Sequence, residues 1–268
     1  MTNPLKEKWR AGTPTLNGWC GIGSSFSAEI MAAQGFDSVT IDVQHGALSY
    51  TDALPMAQAI GGKGATVMAR VPWREPGIVM KMLDAGAMGI ICPMINNADE
   101  AAEFASFTRY PPRGQRSYGP TRAAFAMPGY NEKDANEDVI AFAMIETADG
   151  VENLEEIAAT HGIDGLYVGP SDLSIGYSNG HLSAGFDRTE DEMVEVIKRI
   201  AEIARKNNIA AALHCGAPDY AANAIGWGYN MVTVSADTRF LAAGANAAVT
   251  RFRELTGTDG KKGQGEGY

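Results

Sequence analysis

One device recurs four times along this chain: a helical stretch ends, a glycine follows, and two residues later an apolar run begins. It stands at Gly35–Phe36–Asp37 before SVTID, at Gly86–Ala87–Met88 before GIICP, at Gly162–Ile163–Asp164 before GLYVG and at Gly228–Tyr229–Asn230 before MVTVS. Glycine takes the left-handed backbone just past a helix C-terminus at no steric cost, so each copy reads as a helix stop that feeds a strand. The runs are apolar almost throughout rather than alternating, as parallel strands covered on both faces require. Such a chain is α/β, and few architectures remain open to it.

Filling the gaps between these junctions gives eight βα units. Strands are predicted near 16–21, 37–42, 65–71, 88–93, 139–145, 164–168, 209–214 and 230–234. Helices follow near 24–34, 50–61, 75–85, 97–108, 150–160, 189–207, 217–226 and 237–254. Ser49–Asp52 and Asp149–Glu152 have the spacing of capping boxes that open the second and fifth of these helices. Eight units favour a closed (β/α)8 TIM barrel over an open doubly wound sheet, although periodicity does not by itself prove closure. At 268 residues the chain suits one such barrel, over 1–255, with a glycine-rich disordered tail over 256–268. Residues 109–138 form a connection longer than an ordinary loop, which marks a functional or a disordered segment. Its arginines 109, 113, 116 and 122 read either as a solvated surface or as a positive field that draws in an anionic substrate.

Composition excludes several functions. A net charge of -10 argues against nucleic acid and against anionic membranes. No apolar run approaches the roughly 20 residues of a membrane span, and the N-terminus has no apolar signal region. Cys20, Cys92 and Cys215 lie far apart, which predicts reduced thiols in a cytoplasmic protein and leaves little room for a thiolate metal site. No GxGxxG or GxxxxGK[ST] pattern follows a strand, which weakens a dinucleotide or nucleotide triphosphate reading.

In a barrel of this kind, chemistry sits at the C-terminal ends of the strands. The polar residues predicted there are Asp42 with His45, Arg70, Glu146, Ser171 with Asp172, and His214. Taken singly, each has a plainer role. A strand-end carboxylate also caps the next helix, and a loop histidine often serves only as a hydrogen-bonded structural group. Arg70, inside the apolar run VMARV, is harder to explain without an anionic partner. No lysine falls on the inward face of a predicted strand, so a Schiff-base aldolase is disfavoured and enolate chemistry here would need a metal. Glu146 and Asp172 offer an oxygen-only site with open positions, which suits Mg²⁺ or Mn²⁺ better than zinc.

The segments TIDVQHG, MAR with KMLDAGAMGIICPM, RYPPRGQRSYG, MIET, GIDGLYVGPSDLS and WGYNMVTVSAD resemble the HpcH/HpaI family of class II pyruvate aldolases, over about residues 15 to 255. RSYGP and AMIET most resemble its hydroxyketoacid aldolase branch. The resemblance implies reversible cleavage of 4-hydroxy-2-oxo acids through a chelated enolate of pyruvate or hydroxypyruvate, with an aldehyde as the other partner. It implies Glu146 and Asp172 as ligands of a divalent cation (Mg²⁺ or Mn²⁺, with Co²⁺ also possible), and Asp172 and the backbone near Ser171 as contacts of the substrate. It also implies Arg70 at the enolate oxygen and His45, through a water, as the proton carrier of the 4-hydroxyl. Asp84 would raise the basicity of that histidine. By position at the end of a helix, Asp84 could reach His45 only from another subunit or by a different local path. Met144 stands where many members have glutamine, and His214 where an apolar residue is usual. The family also implies a homohexamer, a trimer of dimers, with the last helix exchanged between subunits. Two alternatives stay open: a malyl- or citramalyl-CoA lyase, and a non-catalytic barrel that binds anionic metabolites.

Overall fold

The computed structural model describes residues 2–258. Of the stretch read as a disordered tail, residues 259–268 lie outside the described residues. A short helix, α1 (Pro4–Arg10), precedes β1 (Thr15–Cys20), α2 (Ser25–Ala32), β2 (Ser38–Asp42), α3 (Tyr50–Gly62), β3 (Thr66–Arg70), α4 (Pro76–Asp84), β4 (Gly89–Cys92) and α5 (Ala98–Thr108). Two short helices, α6 (Ala123–Ala126) and α7 (Glu132–Asp138), lead to β5 (Ile140–Ile145), α8 (Ala148–Glu152), α9 (Leu154–Ala159) and β6 (Gly165–Val168). The chain continues with α10 (Pro170–Tyr177), α11 (Asp191–Lys206), β7 (Ala210–Cys215), α12 (Pro218–Gly226), β8 (Met231–Val234) and α13 (Asp237–Thr256). The eight strands pair in chain order, all parallel, and β8 closes on β1.

All eight predicted strands are present to within a residue or two, because the glycine junctions work as read. Gly35, Gly86, Gly162 and Gly228 have φ of +93°, +99°, +95° and +101°. Residues alternate between two apolar layers. Met68, Ile91, Phe142, Met144, Tyr167 and Met231 fill the barrel, while Val67, Ile90, Leu166 and Leu213 pack outward under the helices. Burial on both faces is why the runs read as continuous.

Four features depart from the pattern. Asn3 and Pro4 start α1, whose Leu5 and Trp9 join the inner cluster, so this helix plugs the N-terminal end of the barrel. The fifth predicted helix is broken into α8 and α9, and its cap is Thr147, which accepts from Gly150 N–H at 3.0 Å, rather than the box at Asp149–Glu152. The box at Ser49–Asp52 is present. The connection 109–138 joins a helix end to the start of β5, so it lies on the face opposite the mouth, and its arginines are spent there. Arg109 pairs with Asp164, Arg113 with Glu137, Arg116 with Asp84, and Arg122 donates to the carbonyl of Ala85. Drawing substrate to the mouth is therefore not their role. Finally, Asp237 is the one buried residue of α13. Phe240, Leu241, Val249, Phe252 and Leu255 of that helix stand exposed.

Candidate active site

The strands bring Asp42 and Arg70 side by side, as register partners at the ends of β2 and β3. Arg70 donates twice to Asp42, Nε to Oδ1 at 2.9 Å and Nη2 to Oδ2 at 2.6 Å. Trp19 Nε1 reaches Oδ2 at 3.2 Å, and the N–H groups of Gln44 and His45 each reach Oδ1 at 3.2 Å. Burial pushes the Asp42 carboxyl up, but the Arg70 guanidinium and the other donors outweigh it and hold Asp42 below its usual range. The Arg70 guanidinium also lies 4.9 Å from the centre of the Trp19 ring. Its position is thus over-determined, and Asp42, which the strand pattern gives no separate role, is the clamp. Asp42→Ala strips a buried guanidinium of its bidentate partner, and a loss of about 3–5 kcal/mol in urea unfolding is expected.

Glu146 follows β5 and is buried. Its Oε1 accepts from the N–H of Met94 at 2.8 Å, and Met94 is held at φ +56°, a costly region for a side chain of its kind. Burial, and next the nearby Asp172, push the Glu146 carboxyl up to about 7, against the lowering pull of the Met94 N–H and of Arg70. Oε2 lies against Gly169: a Cβ built there would come 2.4 Å from it and 2.4 Å from Met144 Cε. Gly169 caps α10, which Pro170 opens at the mouth, and this places Ser171 and Asp172 in the helix's first turn, where backbone N–H groups lack intrahelical acceptors. The absence of a side chain at 169 thus keeps open the space beside the Glu146 carboxylate, next to a cavity that Asp172 lines. Among the described residues no group of three or more His, Cys, Asp or Glu is gathered to hold a metal. A cation here would depend on Glu146 and Asp172 and on oxygen donors from outside the protein.

The cavity at the mouth, about 240 Å³, is lined by Asp42, His45, Arg70, Met144, Ser171 and Asp172. Trp19, Phe186, His214, Ala236, Thr238 and Arg239 line it as well. Asp84 is not at this mouth: it pairs with Arg116 at 2.8 Å near the opposite face. His214 stacks on Phe186, with ring centroids 4.9 Å apart and planes at 20°, and meets Trp19 edge-on at 4.7 Å. Burial first, then Arg70, pull the imidazole down to about 3, so it stays neutral in the folded protein. The unfolded chain protonates it below its ordinary 6.5. Stability from this residue is therefore complete above pH 6.5 and is lost as pH falls toward 3, by on the order of 5 kcal/mol at most. His214→Phe, which keeps the stack, is expected to flatten that acid limb in urea titrations between pH 7 and pH 4.

A closed parallel barrel with a small cavity at its strand ends, a clamped guanidinium and two neighbouring carboxylates defines a class: an α/β barrel with its site at the C-terminal ends of the strands. The family model for HpcH/HpaI aldolase/citrate lyase matches residues 19–243, and the chain belongs to that family. A hydroxypyruvate/pyruvate aldolase of Rhizorhabdus wittichii is 35% identical over 253 residues, 94% of this chain and 100% of that protein. A 4-hydroxy-2-oxo-heptane-1,7-dioate aldolase of Escherichia coli is 33% identical over 258 residues, 94% of this chain and 95% of that one. The crystal structure of an HpcH/HpaI aldolase/citrate lyase family protein from Burkholderia cenocepacia covers 94% of this chain and 100% of its own, with a TM-score of 0.84 and 33% identity. By family the chain is an enzyme, a lyase of the aldolase type, and its family works with a divalent metal. No helix among the described residues is long and apolar enough to cross a membrane.

Proposed function

We propose that this chain reversibly cleaves and forms 4-hydroxy-2-oxo acids, with pyruvate or hydroxypyruvate as the nucleophile and an aldehyde as the acceptor. The observation that carries the reading is the buried Glu146, raised by burial and by the nearby Asp172, lying against the side-chain-free Gly169 of a cavity that Asp172 and the clamped Arg70 line. Two carboxylates without thiolate or imidazole suit a hard ion, so Glu146 and Asp172 would hold Mg²⁺ or Mn²⁺, with Co²⁺ a substitute. Bound there, the ion supplies Lewis acidity to a 2-oxo acid. The first turn of α10, at Ser171, offers N–H groups to the substrate carboxylate. Arg70, which Asp42 and Trp19 keep from swinging, stabilises the enolate oxygen as charge develops. His45 moves the proton of the 4-hydroxyl. A cavity of about 240 Å³ fits a small 2-oxo acid better than a coenzyme A thioester.

The same reading has α13 covered by another copy of the chain in a hexamer, which its five exposed apolar residues favour, and has Asp84 serve His45 across a subunit boundary. The three buried free cysteines agree with a cytoplasmic home. The direct test is deuterium exchange at the pyruvate methyl group, followed by NMR beside cleavage of a 4-hydroxy-2-oxo acid. Both should require a divalent ion, stop in EDTA and return with Mg²⁺ or Mn²⁺. Tight pyruvate binding without exchange would instead make the barrel a binding protein.

A further inference from the structure

Among the polar groups that line the cavity, His214 is left unused by the proposed chemistry, and a chain of buried hydrogen bonds fixes how that ring is presented. The chain begins deep in the barrel. Ser38 Oγ and Thr40 Oγ1 both donate to Asn17 Oδ1, at 2.8 and 3.1 Å, which turns the amide so that Nδ2 donates to Thr233 Oγ1 at 2.9 Å. Thr233 Oγ1 lies 2.7 Å from the hydroxyl of Tyr167, and that hydroxyl lies 3.2 Å from Nδ1 of His214. Thr233 Oγ1 already accepts from Asn17, and in the arrangement that directs each proton outward Thr233 donates to Tyr167 and Tyr167 to Nδ1. Every link then donates toward the mouth. The imidazole ends the relay as an acceptor at Nδ1, so its one proton sits on Nε2. Nε2 is on the opposite edge of the ring and bonds to none of the described residues, while the ring itself lines the cavity. Phe186 holds the plane of the ring, and the Tyr167 hydroxyl at Nδ1 sets which edge faces inward. Phe186 is held over it because the neighbouring Asp187 accepts from the N–H of Gly216, just past β7, at 2.8 Å.

We propose that His214 is a specificity residue: a fixed, uncharged Nε2–H donor that binds a hydroxyl group on the acceptor aldehyde and so favours hydroxyaldehydes over their deoxy counterparts. The assignment rests on the aldolase reading above. A 2-oxo acid anchored at Asp172, Ser171 and Arg70 leaves the acceptor the rest of the lining, which includes Trp19, Phe186, His214, Thr238 and Arg239. A fixed, uncharged donor there rewards a hydroxyl. A deoxy acceptor leaves the donor unpaired, and a site built around such a donor discriminates against it. The low basicity of the ring agrees, since a neutral imidazole offers a hydrogen bond and no charge.

Two measurements test this. In protein labelled with ¹⁵N-histidine, the His214 resonances should show protonated Nε2 and unprotonated Nδ1 from pH 5.5 to 8, and Tyr167→Phe should mix the tautomers. In pyruvate additions with a metal-loaded enzyme, the ratio of kcat/KM for glycolaldehyde over propanal should fall about fivefold to tenfold in His214→Phe, the worth of one neutral hydrogen bond. It should be largely kept in His214→Gln, whose amide N–H reaches a place close to that of Nε2. A proton on Nδ1, or an unchanged aldehyde ratio in an active His214→Phe, overturns the assignment and leaves the aldolase reading in place. No addition with either aldehyde in the wild type overturns the aldolase reading and this one with it.

Discussion

Glu146→Gln is expected to yield a folded barrel with no measurable aldol turnover, at least about a thousandfold below wild type, and Asp172→Asn the same. The reason is the ligand count. With two protein carboxylates proposed to hold the ion, neutralising either leaves a single charged ligand, and Mn²⁺ affinity read by electron paramagnetic resonance should collapse with the activity. The Gln variant carries a second signature that separates this loss from unfolding. Burial raises the Glu146 carboxyl from 4.5 to about 7, so its favourable contribution is complete below pH 4.5 and is lost as pH rises through 7. In metal-free protein at pH 8, the Gln variant should therefore be more stable than wild type, by on the order of 3 kcal/mol, and this gain should shrink as pH falls and vanish below pH 4.5. Gly169→Ala makes the same point with both ligands in place. Its φ of -98° admits alanine, but the new Cβ would lie 2.4 Å from Glu146 Oε2. Mn²⁺ affinity should drop at least about tenfold, since something in the cradle must shift. Full activity of Glu146→Gln in protein shown to be metal-free would end the metal assignment.

The second large effect separates Arg70 from His45. Arg70→Ala should depress both pyruvate methyl exchange and aldol cleavage by about 10²–10³, because both reactions pass through the enolate whose oxygen it faces. Arg70→Lys guards against a folding artefact. It keeps the charge, but not the two-pronged bond to Asp42, and should recover little activity. His45→Ala should cut cleavage by about 10²–10⁴ and exchange far less, since the proton it moves belongs to the 4-hydroxyl and exchange at the methyl carbon has no such step. Deuterium incorporation and cleavage measured on the same preparations decide it. Equal losses in both for the His45 variant would remove that role.

The elements that sequence predicts well are those whose causes are local. The four glycine junctions, the capping box at Ser49 and the continuous apolar strands each rest on residues within a turn or two of one another, and all are present. Even α1 has its signal in the text, as Asn3 followed by Pro4. The site residues at strand ends are legible for the same reason: once a parallel barrel is granted, a polar residue closing an apolar strand must face the mouth. His45, Arg70, Ser171, Asp172 and His214 line its cavity, while Glu146 is buried just past β5, against Gly169 of that lining. What fails is any reading that needs to know which face a long connection covers. The arginines of 109–138 look available in the sequence, but Arg109 and Arg116 are buried and neutralised by Asp164 and Asp84.

By itself, then, the sequence determined the number, order and parallel direction of the strands, and the set of polar side chains delivered to one rim. Each of these follows from backbone preference and from solvent exclusion over short spans of chain. Only the tertiary structure decided how those side chains are used. It pairs Asp42 with Arg70, aims the N–H of a left-handed Met94 at Glu146, and leaves Gly169 bare against the Glu146 carboxylate. It also runs a line of hydrogen bonds from Asn17 to His214. These partners lie tens to hundreds of residues apart. They meet because closing the barrel expels water from its interior, and a buried polar group without water must find another polar group within about 3 Å.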